Sequence, residues 1–198
     1  MAETAPARKA ARLAREHEDA RRAILDAARK LASRDGARNL SLRGVAAEAG
    51  YAPAALYGYF RNRDELLFAL AADDITTLAR QMREAARQGS GLKQAATTAF
   101  AHLCSSETLA AASTALGSAS ETSEAERLLN GRLIGVLTAL SDAAGGLSQS
   151  REGQRDVLLI AAAIAGLALL SRTGRLSSLG FSADELIERI SARFPSGS

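Results

Sequence analysis

Tryptophan is absent from this chain of 198 residues, proline occurs three times and cysteine occurs once. The scarcity of tryptophan and proline in an alanine-rich chain favours helices throughout and argues against a sheet protein. The single cysteine, Cys104, excludes an internal disulfide and fits a reducing compartment. We therefore expect an all-α protein.

Long apolar runs are also missing. The longest, residues 157–170, has 14 residues, whereas a helix needs roughly 20 to cross a bilayer. No apolar segment follows Met1, so the sequence shows no secretory signal. We expect a cytoplasmic protein that has no membrane partner.

The sequence also lacks the patterns that usually carry catalysis. It has no glycine-rich phosphate loop and no nucleophile elbow, and it contains two histidines. His102 and Cys104 lie two apart on a predicted helix, so they point to different faces, and a zinc site usually has four ligands. Asp73 and Asp74 have no second acidic cluster beside them, and a solvated helix start is the expected explanation. We expect no catalytic residue, no metal and no cofactor, which argues against an enzyme.

Charge is unevenly distributed along the chain. Residues 1–72 contain 13 basic and 9 acidic side chains, whereas residues 73–198 contain 12 basic and 13 acidic side chains. An excess of this size gives weak support to nucleic acid as a partner, because similar imbalances occur on solvated surfaces.

The clearest local pattern lies between Ser41 and Arg63 and reads as two short helices joined by a turn. The first helix has an apolar stripe at positions i, i+3, i+4 and i+7, formed by Leu42, Val45, Ala46 and Ala49. Ser41 can accept a hydrogen bond from a free N–H group at the helix start. Gly50 ends the helix, because glycine adopts the left-handed conformation at little cost.

The second helix of this pattern opens at Pro53. A proline loses nothing at the first helical position, where the N–H has no partner, and its ring pushes Ala52 out of helical geometry. Leu56 and Phe60 lie four apart and are expected to face inward. Two helices joined by a short glycine-containing turn are the unit that places its second helix in a DNA major groove.

The same residues carry a family resemblance. Segments 50–52, 56–60 and 63–66 resemble the end of the DNA-binding domain of the TetR family of transcriptional regulators, and segment 22–37 resembles the first helix of that domain. The resemblance implies a three-part organisation, with a basic N-terminal arm (1–20), a three-helix helix-turn-helix DNA-binding domain (21–70) and a helical ligand-binding and dimerisation domain (71–198).

The resemblance assigns DNA contacts to eight residues, namely Ser41, Arg43, Tyr51, Ala54, Ala55, Tyr57, Tyr59 and Arg63. Ser41 would bind a phosphate through its hydroxyl and backbone N–H, and Arg43 would reach a phosphate or a guanine edge. The tyrosine hydroxyls and Arg63 would lie at the DNA backbone. Two alternatives stay open: aromatic core packing for Tyr57 and Tyr59, and a solvated helix start for Arg63.

The first turn of the second helix departs from the family. Serine or threonine is usual where Ala52 stands, and polar residues are usual at the next three positions, where this chain has Pro-Ala-Ala. Alanine methyl groups can contact thymine methyl groups but form no hydrogen bonds to bases. The preference of the protein for particular DNA sequences is therefore expected to depend on Arg43, Tyr51, the basic arm and DNA shape.

The basic arm is defined by four residues in the first 20 positions, Arg8, Lys9, Arg12 and Arg15. Such a cluster fits either a mobile arm beside DNA, reaching into the minor groove, or a solvated helical extension.

The C-terminal part is expected to be helical throughout. Residues 64–87 read as one or two helices, and Asp73 and Asp74 are expected to mark the joint between the DNA-binding and C-terminal parts. The last two long helices, 121–144 and 156–172, carry small residues, and the resemblance implies that they pair with their copies in a homodimer. The predicted interface comprises Gly131, Gly135, Ala139, Ala162, Gly166 and Leu169. Burial inside one subunit is the alternative.

The resemblance also implies a small-molecule site in this C-terminal domain. Its predicted lining is Met82, Phe100, Leu103, Leu116 and Leu137, which favours an apolar, non-planar ligand of unknown identity. The resulting hypothesis is a repressor that binds a near-palindromic operator in double-stranded DNA as a dimer and is released by a ligand. A ligand-independent architectural DNA-binding protein is the alternative, and some family members activate transcription.

Overall fold

The computed structural model describes residues 5–89, 91–116 and 124–194. Every regular element within these ranges is helical, as the composition predicts. The α-helices are α1 Ala5–Asp35, α2 Leu42–Ala49, α3 Pro53–Leu56, α4 Arg63–Gln88, α5 Leu92–Ser105, α6 Glu107–Leu116, α7 Glu124–Ala143, α8 Arg151–Arg172, α9 Arg175–Ser178 and α10 Ala183–Arg193. Short 3-10 helices lie at Ala37–Asn39 and Leu147–Gln149.

The basic arm is part of α1. This helix has 31 residues and begins at Ala5, so the segment predicted as a helix is only its second half. The side chains of residues 7–19 are exposed, and Arg12 pairs with Glu16 one turn later at 3.4 Å. Of the two alternatives for the arm, the solvated helical extension is the one observed.

The N-terminal core is built from the second half of α1 together with α2, α3 and the start of α4. Ile24, Val45, Leu56 and Leu66 have no exposed surface in this cluster. A residue of α6, Ala111, also belongs to it. The small domain therefore rests directly on the C-terminal part, because α6 contributes to its core.

Helix α4 runs without a break through Asp73 and Asp74, so one helix rather than two spans this segment. The helix begins where the Asn62 side chain accepts from the Glu65 N–H at 2.8 Å, while the Glu65 carboxylate accepts from the Arg61 N–H at 2.6 Å. Its apolar residues continue from the N-terminal core into the C-terminal core, where Met82 is fully buried. One rigid element thus belongs to both parts.

The C-terminal part is a helical bundle around the second half of α4. Residues from α4, α5, α7, α8 and α10 meet in one core. Its fully buried large side chains include Leu92, Leu140, Ile160, Ile164 and Ile187. A smaller cluster joins α4 and α6 to α7 through Phe68, Ala112 and Leu129.

Two small residues of α7, Gly135 and Ala139, lie toward other helices of the same subunit, and one of them corrects the predicted dimer interface. Ala139 is 1% exposed within the C-terminal core, and a Cβ at Gly135 would lie 3.8 Å from the Cβ of Ala79. Small residues every four positions allow any second helix to come close. Ala139 is therefore buried by its own subunit and cannot lie in an interface with a second one, whereas an interface role for the half-buried Gly135 stays a prediction.

Helix α8 is long and apolar enough to cross a bilayer by length and composition alone, but one of its faces lies in the C-terminal core through Val157, Ile160 and Ile164. The helix starts five residues before the predicted start, because the Ser150 side chain accepts from the Gly153 N–H at 3.0 Å. The opposite face remains exposed.

Gly153 generates a stability prediction, because a Cβ at this position would lie 1.6 Å from the carbonyl oxygen of Leu147. We expect Gly153→Ala to lower the free energy of unfolding by about 1–3 kcal/mol, the usual range for overpacking. Chemical denaturation measures this change. Arg155→Ala, at an exposed position of the same helix, is the control and should change it by less than about 0.5 kcal/mol. Equal stability of the two variants would contradict the prediction.

Candidate nucleic-acid interface and apolar cavity

The turn between α2 and α3 has the geometry that its sequence predicts. The Ser41 hydroxyl accepts from the Gly44 N–H at 3.1 Å. Gly50 is left-handed, with a φ of 73°, and the next N–H, that of Tyr51, donates to the Ala46 carbonyl at 2.9 Å. Ala52 is extended and α3 opens with proline. These local bonds fix the direction in which α3 leaves the turn.

Helix α3 is shorter than the sequence suggests. Regular α-helix covers Pro53–Leu56, and the chain then continues as turns in which the N–H groups of Tyr59 and Phe60 both donate to the Leu56 carbonyl at 2.9 Å. Leu56 and Phe60 are buried, as predicted. They anchor the segment to the N-terminal core.

The outer face of α3 is open to solvent. Ala54 and Ala55 are exposed, and Tyr57 is 62% exposed. Core packing is therefore excluded for Tyr57. These three side chains form the surface that we name the α3 face.

Tyr51 and Tyr59 occupy a different environment. Both are partly buried against the N-terminal core. The Tyr59 ring stacks on His17 of α1, with centroids 4.5 Å apart and planes 15° apart. One turn later, the Arg21 guanidinium lies 5.5 Å from the centre of the Phe60 ring. The core-packing alternative therefore describes Tyr59, and α1 holds the end of the α3 segment.

Sequence reasoning missed His17 and Arg21. They lie seven and three residues before the buried Ile24, so the apolar stripe of α1 places all three on one face of the helix. Extending the helix toward the N-terminus would have identified them.

Arg63 is engaged within the fold. Its guanidinium donates to the carbonyl oxygens of Arg38 at 2.9 Å and Ala37 at 3.3 Å, and it lies 3.7 Å from the Asp64 carboxylate. A solvated helix start does not describe this geometry, and the phosphate contact stays a prediction. Arg63 ties the start of α4 to the 3-10 helix that follows α1.

Four other arginines of the DNA-binding domain are exposed and have no acidic partner within the described ranges: Arg22, Arg38, Arg43 and Arg61. Arg34, in contrast, pairs with Asp35 at 3.0 Å and Glu48 at 3.6 Å. The hydrogen bond from Arg34 lowers the pKa of the Asp35 carboxyl, and the same bond raises the pKa of Arg34. Arg43 is therefore the free cation among the predicted contacts, and Arg38 and Arg61 were not anticipated.

A polar cluster joins α1, α4 and α6, and we name it the junction cluster: Arg29, Asp73, Asp74, Ser106 and Thr108. The Arg29 guanidinium lies 2.7 Å from the Asp73 carboxylate and 3.9 Å from that of Asp74. Asp74 also accepts hydrogen bonds from the hydroxyl of Ser106, at 3.1 Å, and from that of Thr108. The two aspartates are thus not a solvated helix start, because they lie in the middle of α4 and hold its neighbours.

An apolar cavity of about 380 Å³ lies among α4, α5, α6, α7 and α8. Its volume is typical of small-molecule sites. Every residue that lines it is apolar, including Leu78, Leu103, Val136, Leu137, Ala161 and Ile164. The cavity can therefore bury an apolar molecule but offers no side chain that would pair with a charge.

Two of the five residues predicted to bind a ligand line this cavity, and their ligand-binding role stays a prediction. Leu103 and Leu137 line the cavity. Met82 is fully buried in the C-terminal core and Phe100 packs against that core, and neither reaches the cavity. The side chain of Leu116 lies outside the described part of the chain.

Exposed large apolar side chains are concentrated on α7 and α8. On α7 they are Leu128, Leu133 and Ile134, and on α8 they are Leu158, Leu159 and Leu169, all between 42% and 64% exposed. We name this surface the α7–α8 face. Of the predicted interface residues, Gly131, Ala162 and Leu169 are exposed and Gly166 is half-buried, and no side-chain atom lies near either glycine.

A family model described as "Bacterial regulatory proteins, tetR family" matches residues 24–70. The chain is similar to a nicotine-responsive transcriptional repressor of the helix-turn-helix type, HdnoR of Paenarthrobacter nicotinovorans, with 41% identity over 64 residues. That alignment covers 32% of this chain and 33% of the repressor. The chain therefore matches about a third of the length of this curated relative.

Solved structures resemble the chain over most of its length. A TetR-family transcriptional regulator from Streptomyces coelicolor superposes with a TM-score of 0.58 and 20% identity, covering 88% of this chain and 99% of the other. The regulator FadR from Bacillus subtilis, in complex with stearoyl-CoA, superposes with a TM-score of 0.57 and 19% identity, covering 89% and 98%. At these identities the likeness concerns the fold.

The junction cluster generates a prediction about its two carboxylates. Asp74→Ala removes the acceptor of two hydroxyl hydrogen bonds, so we expect the free energy of unfolding to fall by about 1–3 kcal/mol. Asp73→Ala removes only a half-exposed ion pair and should cost about 0–1 kcal/mol. Chemical denaturation compares the two variants, which share the same helix and the same helix propensity. If the two variants lost the same free energy of unfolding, the hydrogen bonds from Ser106 and Thr108 to Asp74 would not be the cause of the loss.

Proposed function

Because the chain belongs to the TetR family of bacterial transcriptional regulators, we propose that it is a repressor that binds a near-palindromic operator as a dimer and leaves it when an apolar small molecule enters its bundle. The observation that carries this proposal is the α3 face, which points to solvent while Leu56 and Phe60 anchor the same segment in the core. A short anchored segment with one open face can enter a major groove.

Base recognition would combine few hydrogen bonds with apolar contacts. Ala54 and Ala55 offer methyl groups to thymine, Tyr57 offers a hydroxyl, and Ser41 offers the start of α2 to a phosphate. Arg43 is the exposed, unpaired cation of α2 and is suited to a bidentate contact with guanine. Tyr51, Tyr59 and Arg63 would act mainly by positioning the elements that make these contacts.

The repressor role is supported by the similarity to the repressor HdnoR. That similarity extends over 64 residues, which is 32% of this chain. A repressor needs only to occupy its operator, whereas an activator also needs a surface for the transcription machinery. Repression is therefore the simpler assignment for this architecture.

Dimerisation is supported by the α7–α8 face. Six large apolar side chains are exposed there, and exposed apolar patches on soluble proteins usually mark interaction sites. A two-fold axis through this face would place two α3 segments on one side of the dimer. The two segments would then contact two DNA half-sites about 34–36 Å apart, a distance of one turn of DNA. Because the two half-sites are related by the two-fold axis, the operator would be a near-palindrome.

The effector is proposed to be apolar and uncharged, because the cavity lining holds no group that could pair with a charge. FadR from Bacillus subtilis holds stearoyl-CoA, but an acyl chain alone would match this lining, since coenzyme A carries phosphates. To move the protein from mostly operator-bound to mostly released, the effector must bind the released state about 5.5 kcal/mol more tightly than the operator-bound state. Burial of about seven methylene groups in one state only would supply it, at roughly 0.8 kcal/mol each.

The route from the cavity to DNA is proposed to pass through the junction cluster. Asp74 and Thr108 hydrogen-bond to each other, and the residues that follow them, Ile75 and Leu109, both line the cavity. A ligand that separates Ile75 from Leu109 would therefore pull on the bond between their neighbours. Because Arg29 of α1 is held by the same carboxylates, the DNA-binding domain would be displaced with α4.

The chain is proposed to act in the cytoplasm, where its operator is, and without a membrane partner. The competing hypothesis is an architectural DNA-binding protein that responds to no ligand. The apolar cavity favours the regulator, because a purely architectural protein has no use for an unfilled space in its core.

Arg43→Ala is expected to relax base preference as well as to weaken operator binding. A bidentate contact contributes about 1–3 kcal/mol of discrimination against a wrong base, so affinity for the best operator should fall while affinity for mismatched variants changes less. Selection of bound fragments from the source genome, followed by titration of operator variants, measures both effects. Arg155→Ala on α8 is the control. A uniform loss across all variants would show that Arg43 contacts only phosphate.

Ala161→Leu fills the cavity from α8 and is expected to abolish release by apolar compounds while operator affinity stays unchanged. The unchanged affinity is the internal control for folding. A gel-shift series with uncharged alkyl compounds of increasing length measures the response of the wild-type chain. If no apolar compound releases DNA, and the variant behaves as the wild type does, the architectural alternative is the better description.

A further inference from the structure

A polar cleft of about 480 Å³ lies where α1 of the DNA-binding domain meets α4, α5 and α6 of the bundle. We name it the junction cleft. Both parts of the protein supply polar side chains to its lining, namely Arg29 and Ser33 from α1 and Asp74, His102, Ser105 and Glu107 from the bundle. A molecule in the cleft would therefore touch the two parts at once.

The junction cleft is separate from the apolar cavity, although the same helices bound both. Asp74, His102 and Thr108 line the cleft, and the residue that follows each of them in the sequence lines the apolar cavity. Neighbouring residues of a helix point in directions about 100° apart, because one turn takes 3.6 residues. The two spaces thus lie on different sides of α4, α5 and α6, and they have no lining residue in common.

One ring nitrogen in the cleft lining lacks a hydrogen-bond partner. The Nε2 atom of His102 is buried, and no described residue bonds to it. A buried polar atom without a partner is unfavourable, and native proteins contain few of them. With the ring proton on Nδ1, Nε2 accepts hydrogen bonds, so a ligand N–H in the cleft would satisfy it.

The carboxylates of the cleft also have capacity to accept. The hydroxyls of Ser106 and Thr108 both bond to Oδ2 of Asp74, whereas Oδ1 lies 3.9 Å from the Arg29 guanidinium, beyond hydrogen-bond distance. Arg172 bonds to Oε1 of Glu107 at 2.9 Å. Among the described residues, the second oxygen of each carboxylate therefore receives no hydrogen bond.

The charge of the cleft favours a cation over an anion. The Arg29 guanidinium already lies 3.0 Å from the Asp26 carboxylate and 2.7 Å from that of Asp73, so it is not free to hold a phosphate or a carboxylate. The described residues contain no group of three acidic, histidine or cysteine side chains that could hold a metal ion. The free acceptors are thus too far apart for one metal ion, and a chain with N–H groups at both ends would suit them better.

We propose that the junction cleft is a second ligand site, which binds a small organic diamine between the DNA-binding domain and the bundle. Asp74 and Glu107 hold its ammonium groups, and His102 accepts one of its N–H bonds. Ser33 and the surface of α1 close the site from the other side. The inference goes beyond the proposed function, because this site is distinct from the apolar cavity and requires neither operator DNA nor an apolar effector.

The probe is 1,4-diaminobutane, and two molecules with the same number of carbon atoms serve as controls: 1,4-butanediol, which is neutral, and succinate, which is an anion. Calorimetric titration of the full chain without DNA gives the three affinities. We expect the diamine to bind, the diol to bind about tenfold more weakly or less, and succinate not to bind. The difference arises because charge-assisted hydrogen bonds are about twice as strong as neutral ones.

The two histidines of the chain allow the site to be located by NMR. His102 lines the cleft, whereas His17 stacks on Tyr59 outside it. We expect the ring signals of His102 to move during titration with the diamine and those of His17 to stay in place. If only His17 responds, or if neither histidine does, the diamine does not occupy the cleft and the inference is wrong.

Glu107→Gln removes one carboxylate of the site, and Glu188→Gln is its matched control. Each glutamate is an exposed partner in one ion pair, Glu107 with Arg172 at 2.9 Å and Glu188 with Lys93 at 3.4 Å. We expect Glu107→Gln to weaken diamine binding about tenfold, because a charge-assisted bond is lost, and Glu188→Gln to change it by less than about twofold. His102→Phe keeps a ring without Nε2 and should also weaken binding. Equal affinities of the two glutamine variants would overturn the assignment.

Ser33→Leu tests whether the site spans both parts of the protein. Ser33 is exposed on α1, so a larger side chain there fills the cleft without entering the N-terminal core. We expect this variant to lose diamine binding, and unchanged binding would show that the ligand contacts the bundle alone. If the diol binds as tightly as the diamine, the ligand class is wrong. None of these failures affects the proposed function, because operator binding and release by apolar compounds are measured separately.

Discussion

The structure depends on one unbroken helix that belongs to two cores. Helix α4 contributes Leu66 to the core of the small N-terminal domain and Met82 to the core of the bundle. Between these points, Asp73 and Asp74 hold Arg29 of α1 and the start of α6. A rigid helix that is buried at both ends cannot shift at one end alone. The two parts are therefore mechanically joined, although their sequences suggest separate units.

The unit formed by α2 and α3 was predictable because local chemistry determines it. Ser41, Gly50 and Pro53 each act on backbone groups within a few residues, and the structure places all three as expected. What the sequence could not show were contacts between distant positions. Arg63 bonds to carbonyl groups about 25 residues earlier, and Asp74 bonds to a hydroxyl 34 residues later. Ala139 shows the same limit, since a small residue indicates a close neighbour but does not identify it.

Helix α8 illustrates how one element can serve three environments. One side lies in the core, a second side lines the cavity and a third side is exposed on the α7–α8 face. Each environment selects apolar residues, so the helix is apolar on nearly all sides and resembles a membrane span by composition. The structure offers another explanation for this composition, since one apolar side of the helix lies in the core and a second lines the cavity.

The exposed alanines of the α3 face can be exchanged during evolution without a change in the core. Ala54 and Ala55 are exposed, so larger polar residues at these positions would displace no buried side chain. Each such replacement adds a donor or acceptor where the present chain has a methyl group. Under the proposed operator contact, one or two codon changes after gene duplication would alter which bases a daughter protein contacts, while its core is inherited unchanged.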